Sequence, residues 1–210
     1  MSKFKSYDKT LILGQSGCGK SYLGRIVQKI WPRRVIIDCL NEYSDYPKTD
    51  IYDDFGAIAD RLAALERKKS KEYALVFQFD PEQKDTDAIF DQLIRVLYYM
   101  GNVLVVIEEI QEYCTPHKMP HWLRKSLLTG RHQNMALLFT TQRPALLNKT
   151  IVSQSAHIFC GRLNDKNDIN YVSSFLNSES NKLAELKIRN FIYLNPEGIT
   201  TFSTEKMALK

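Results

Sequence analysis

The sequence predicts an α/β fold: a mostly parallel sheet with helices on both faces and an antiparallel hairpin at the carboxyl-terminal edge. Three observations predict it. Short apolar, β-branched runs alternate with longer segments of helical period. Several of those runs are apolar on both faces, as strands covered by helices on two sides must be. Near the end the pattern changes to two short extended runs around Asn195-Pro196-Glu197-Gly198, a hairpin signal. With 210 residues, 44% hydrophobic and 25% charged, the chain has enough apolar surface for one core, and the composition excludes collagen-like, disordered and disulfide-scaffold classes.

Taken in order, strands are expected at 10–13 (TLIL), 34–39 (RVIIDC), 73–79 (YALVFQF), 102–107 (NVLVVI), 136–141 (ALLFTT) and 156–160 (AHIFC). Helices are expected at 19–30, 54–69, 86–100, 120–129 and 165–176, the third carrying Ile89, Phe90, Leu93, Ile94 and Leu97 on one stripe. We expect a single domain over 1–210, with the core at about 8–176 and the edge hairpin at about 188–204. The net charge of +5 permits attraction to a polyanion without demanding it. Residues 41–60 are acidic (Glu42, Asp45, Asp50, Asp53, Asp54 and Asp60 against Lys48), whereas Arg61, Arg67, Lys68, Lys69 and Lys71 follow against Glu66. A second basic stretch holds Lys118, Arg124, Lys125 and Arg131, and the ordinary role of such runs is a solvated surface. Cys18, Cys39, Cys114 and Cys160 form no CxxC pair, which suits a reducing compartment. No signal peptide is legible, and no apolar run approaches the roughly 18 residues needed to span a bilayer. The expectation is a soluble protein without a transmembrane segment, cytoplasmic, or virion-associated in a viral setting.

The chemistry starts at Gly14-Gln15-Ser16-Gly17-Cys18-Gly19-Lys20-Ser21, between a short apolar strand and a helical segment, which is the pattern and the context of a P-loop. Glycines let successive N–H groups point inward at phosphates, and the following helix aims its positive end at the same place. Lys20 supplies a cation for the β and γ phosphates, and the Ser21 hydroxyl is a ligand for Mg²⁺. Tyr22 completes the expected ATP-binding set. The strand Val103 to Ile107 ends in two acids: Glu108 for the magnesium side and Glu109 as the base that polarises an attacking water. Aspartate is usual at the first of these places, and glutamate is one methylene longer. Thr140-Thr141-Gln142-Arg143-Pro144 ends the next strand, where the Gln142 amide can contact the γ phosphate or the water.

With these motifs in order, the chain from about Thr10 to Tyr171 resembles the FtsK/HerA superfamily of DNA-pumping ATPases. The resemblance rests on GQSGCGKS, on Val35 to Ser44 (VIIDCLNEYS), on VLVVIEE, on Leu128 to Asn134 (LTGRHQN), on TTQRP, and on Asn148 to Ser155 leading to Cys160 to Asp165 (CGRLND). It implies a RecA-like (ASCE) P-loop NTPase core and a homo-oligomeric ring, hexamer or pentamer. It further implies ATP with Mg²⁺ at subunit interfaces and double-stranded DNA through the pore. Arg131 matches the family's arginine finger, which acts on a neighbouring subunit's γ phosphate, and Arg162 is a second interface candidate. Glu42 and Tyr43 either join the same site or belong to a capped turn. No amino-terminal β-barrel of the HerA type and none of the FtsK accessory domains is recognisable. A bare motor of this size looks most like the genome-packaging ATPases of membrane-containing, tailless icosahedral viruses, with a capsid vertex or virion membrane protein as docking partner.

Non-specific DNA contact calls for Lys and Arg on loops. Lys118, Arg124 and Lys125 are the first candidates, and Lys68, Lys69 and Lys71 the second. Cys114, His117 and His121 raise a zinc alternative, weakened by Pro116 and Pro120 and the lack of a fourth ligand. The competing functions are a cellular DNA-transfer or repair motor of the same superfamily and a nucleotide-dependent switch or assembly ATPase that does not pump DNA. A small P-loop kinase is disfavoured, because Glu109 and the TTQRP segment are present and no Arg-rich lid is evident.

Overall fold

The computed structural model describes residues 4–44, 49–78 and 84–205. Its sheet has nine strands in the order β3-β4-β2-β5-β6-β1-β7-β8-β9. They are β1 (Lys9–Leu13), β2 (Arg33–Asp38), β3 (Asp50–Tyr52), β4 (Tyr73–Gln78), β5 (Leu104–Ile107), β6 (Ala136–Thr141), β7 (His157–Cys160), β8 (Asn190–Asn195) and β9 (Gly198–Ser203). Strands β1 to β7 are mutually parallel, and β8 and β9 add antiparallel at the edge, as the final sequence runs predicted. The six helices are α1 (Lys20–Val27), α2 (Phe55–Arg67), α3 (Thr86–Met100), α4 (His121–Thr129), α5 (Lys149–Gln154) and α6 (Lys166–Leu176).

The two apolar faces of the strands are buried against unequal layers. Leu11, Leu13, Val35, Ile37, Val105, Ile107, Leu137 and Phe139 pack under α2 to α6, where Leu62, Phe90, Ile94, Leu123, Ile151 and Val172 meet them. The opposite residues, Ile12, Ile36, Val76, Val106 and Leu138, lie under Leu23 and Val27 of α1 and under Trp31. On α3, Phe90, Leu93, Ile94 and Leu97 are fully buried and Ile89 is half-buried, so the stripe read from the sequence is the packed face.

Two elements escaped the sequence. Strand β3 has only three residues at an exposed edge, too few to show alternation, and α5 has six, started by Asn148, whose side chain accepts from the Thr150 N–H. The helix expected over 19–30 tightens to a 3₁₀ turn at Gln28–Ile30 before Trp31 turns the chain toward β2. Phe79, Asp45 and Lys48, which entered the sequence expectations, lie outside the described residues.

Strand order decides what meets at the sheet's carboxyl edge. Strand β1 lies between β6 and β7, so the loop after it sits beside the ends of both. At the opposite edge, Gly101 ends α3 with φ 61° and lies against the 3₁₀ turn Gly130–Gln133, which precedes β6. A Cβ at Gly101 would stand 2.5 Å from the Gln133 carbonyl oxygen, a main-chain atom that cannot yield without moving the turn. Gly101→Ala is therefore expected to lower unfolding free energy by about 2 kcal/mol or more, measured by chemical denaturation.

Candidate nucleotide site

The phosphate loop is pinned to both neighbours of β1. The Gly14 N–H donates to the Thr141 carbonyl at 3.2 Å, the Gln15 N–H to the Arg162 carbonyl at 2.8 Å, and the Gly161 N–H to the Leu13 carbonyl at 2.7 Å. The chain then enters left-handed backbone at Gly17 and again at Gly19, which leads straight into α1. Lys20 is the first helical residue; its ammonium is buried and donates to the Gln15 carbonyl at 3.3 Å. This is a long contact that a phosphate oxygen can replace. Ser16 and Gly17 face solvent at the tip, whereas Cys18 is buried between Gly14 and Gly161. Burial raises the Cys18 thiol above its ordinary pKa, so the side chain is a packing group rather than a reactive sulfur.

The two acids after β5 do different work. Glu109 holds left-handed backbone (φ 46°, ψ 59°), a conformation that costs a non-glycine residue about 1–3 kcal/mol and often marks a functional position. Its carboxylate is gripped on both oxygens. The Gln142 side-chain amide donates to Oε1 at 3.0 Å, and the Gln142 N–H and the Gln111 amide donate to Oε2 at 3.0 and 2.7 Å. Gln142, expected to face the γ phosphate or the water, here orients the acid that would handle that water. Glu108 lies deeper, 3% exposed, accepting from the Tyr43 hydroxyl at 2.8 Å and from the Thr140 hydroxyl. Burial pushes its carboxyl up to about 7, against the opposing effect of those two hydrogen bonds.

A third element joins these two. Asp38, at the end of β2 and fully buried, accepts from the main-chain N–H groups of Leu40, Glu42 and Tyr43 at 3.3, 3.1 and 3.0 Å. Its Oδ2 also accepts from the Gln78 amide at 3.1 Å. This turn sets two side chains at the site. Glu42 accepts from the Ser21 hydroxyl at 2.6 Å, and Tyr43, itself fully buried, points its hydroxyl at Glu108. The Arg25 guanidinium donates to the Glu42 carbonyl and lies 5.1 Å from the Tyr43 ring centre. The capped turn and the site are thus the same object. In sequence Asp38 is only an acid at a strand end, with nothing local to mark it as the organiser of this turn. Ser21, Glu42 and Glu108 present only oxygen donors, the set a hard divalent cation such as Mg²⁺ takes.

Other candidates lie elsewhere. Arg131 is exposed in the turn Gly130–Gln133, at the sheet edge opposite the P-loop. It is near Lys9 at the start of β1, whose ammonium is lowered by burial, with Asp8 opposing and Arg131 adding to the shift. The five residues of β1 separate the two edges by roughly 16 Å, so Arg131 lies far from the phosphate loop of this chain. Arg162 sits on that loop through its carbonyl, and its Nε has no partner among the described residues. Lys118 pairs with Asp87, and Lys125 lies 4.3 Å from the Trp122 ring and 5.1 Å from that of Tyr98. Arg124 is exposed, as are Lys68, Lys69 and Lys71. Cys114 is fully buried in the core with its thiol pushed up to about 12, and the described residues hold no metal-binding group of His, Cys, Asp and Glu. All four cysteines are free, and no helix among the described residues is long and apolar enough to cross a membrane.

Fold and site together define a P-loop nucleotide-binding protein with a mostly parallel sheet. The chain is homologous to the DNA packaging ATPase P9 of Enterobacteria phage PRD1, with 26% identity over 86% of this chain and 75% of that protein. It is likewise homologous to Protein P9 of Pseudoalteromonas phage PM2, at 27% identity over 84% of this chain and 78% of that one. Its fold matches the genome packaging NTPase B204 of Sulfolobus turreted icosahedral virus 2, solved with AMPPCP, with TM-score 0.74 and 20% identity over 95% of this chain and 98% of that one. No family model matches the chain.

A carboxyl held above its ordinary 4.5 binds its proton more tightly in the folded than in the unfolded chain. For Glu108, stability therefore falls as pH rises from about 4.5 to about 7 and stays low above that. Glu108→Gln removes this dependence: in metal- and nucleotide-free protein its gain over wild type is expected to be larger at pH 8 than at pH 5, by about 2 kcal/mol, in denaturation at the two values.

Proposed function

We propose that this chain is an ATP-hydrolysing motor that drives double-stranded DNA into a virus particle. The observation that carries the proposal is the gripped Glu109 beside the Lys20 loop, an arrangement suited to hydrolysis, in a homologue of a phage DNA packaging ATPase. The P-loop N–H groups and the α1 amino terminus receive the phosphates, and Lys20 exchanges the Gln15 carbonyl for a β or γ oxygen. Glu109 accepts a proton from the attacking water, with Gln142 and Gln111 fixing the direction of its lone pairs. Ser21 would hold Mg²⁺, with Glu42 and Glu108 as the nearby carboxylates, and a bound cation would supply charge neutralisation for the phosphates.

A ring of subunits completes the proposal. Arg131, set at the far edge from its own phosphate loop, acts on the nucleotide of a neighbour, where a permanently charged fork stabilises the transition state. DNA contact in the α4 region falls chiefly to Arg124, because Lys118 is engaged by Asp87 and Lys125 by aromatic rings.

Hydrolysis measured with and without duplex DNA, on wild type, Lys20→Ala and Arg131→Ala with ring formation followed in parallel, tests the proposal. Duplex DNA is expected to accelerate wild-type hydrolysis, and Lys20→Ala to abolish it. Arg131→Ala is expected to cost at least about 100-fold in rate while ATP affinity stays within a few-fold. A rate indifferent to DNA, or full activity in Arg131→Ala, would contradict it. Arg124→Ala is expected to reduce stimulation by DNA and its salt dependence without changing the DNA-free rate.

A further inference from the structure

The carboxyl-terminal hairpin is fastened directly to the phosphate loop by a residue that none of the motifs includes. Arg189, just before β8, donates its N–H to the Cys18 carbonyl at 2.9 Å and holds left-handed backbone (φ 66°). Its own carbonyl accepts from the Thr204 N–H at 3.0 Å, so the end of β9 locks it from behind. The approach is close enough that a Cβ at Gly19 would stand 3.1 Å from Arg189 Cγ and 3.3 Å from its Cα. Held there, the guanidinium lies over the Tyr22 ring, 4.1 Å from its centre, and Arg189 is an exposed residue.

The position matters because of the direction in which a nucleotide must run. Lys20 and the acid Glu109 mark the γ-phosphate end, and the N–H groups at the start of α1 take the α and β phosphates. The ribose and base therefore extend past the first turn of α1, on the side of Tyr22. A flat guanidinium backed by an aromatic ring, on an exposed residue, is a stacking surface for another flat π system. We propose that Arg189, supported by Tyr22, is the stacking platform for the nucleobase, favouring purines over pyrimidines by ring area without reading base edges. The proposal rests on the ATP reading of the P-loop and deepens it.

Binding of ADP, CDP and inorganic tripolyphosphate, followed by calorimetry, separates the possibilities. Arg189→Asn removes the plane while tolerating left-handed backbone, and Arg189→Lys keeps the charge and loses the plane. Tyr22→Leu removes the supporting ring. Each variant is expected to weaken ADP about tenfold, to erase most of the preference for ADP over CDP, and to change tripolyphosphate affinity less than about twofold. An equal loss for tripolyphosphate would show Arg189 acting on phosphates or through the Cys18 carbonyl, and would overturn the proposal. Full ADP affinity in Arg189→Lys would do the same, since charge alone would then suffice. Wild type that binds none of the three probes would instead overturn the phosphate-site reading, and the platform with it.

Discussion

One buried carboxylate, that of Asp38, holds the nucleotide site together. Four N–H groups converge on it, three from the turn after β2 and one from Gln78 on β4. A buried acid so placed needs its donors as much as they need it, because either side left unpaired in the core costs about 1–3 kcal/mol or more per group. The turn it defines sends Glu42 to Ser21 on α1 and Tyr43 to Glu108 after β5. Two motifs nearly ninety residues apart, the loop at Gly14–Ser21 and the acids at Glu108–Glu109, are thus bridged by a third segment with a single geometry. Hydrogen bonds from Ser21 to Glu42, from the Glu42 and Tyr43 N–H groups to Asp38, and from Tyr43 to Glu108 make up that bridge.

Strand order supplies the rest of the arrangement. Placing β1 between β6 and β7 brings Thr141 and Arg162 onto the phosphate loop, and it puts Gln142 within reach of Glu109. The same parallel order sends the segment before β6, with Arg131, to the opposite edge of the sheet. Distance therefore separates two groups of side chains: Lys20, Ser21, Glu108, Glu109 and Gln142 gather at one edge, and Arg131 stands at the other. Gly101 matters to this division, because only a residue without Cβ lets the end of α3 press against the turn that presents Arg131.

Most of the fold was legible because its signals are local. Each core strand is an apolar run, the P-loop is a contiguous octapeptide, and α3 shows its buried stripe in sequence. The site was legible in part. Lys20, Ser21, Glu108, Glu109 and Gln142 stand at strand or helix ends that their motifs announce, and the structure gathers them at one edge. What sequence cannot show is which polar groups pair across the fold. Asp38 reads as an acid ending a strand, Gln111 as one polar residue in a loop, and Arg189 as a surface cation. Their roles come from main-chain turns and from strand neighbours far away in the chain. The basic candidates are alike in sequence for the same reason and differ only in space, where Lys118 pairs with Asp87 and Lys125 lies over the Trp122 ring.

The central claim is that ATP cleavage at this site moves duplex DNA, which hydrolysis rates alone do not establish. Displacement of a third strand annealed to one end of a linear duplex, timed against duplex length, measures movement directly. A DNA motor gives ATP-dependent displacement with a lag that grows with length and vanishes in Lys20→Ala. Hydrolysis that proceeds while the third strand stays bound at every length would contradict the claim and leave a nucleotide switch in its place.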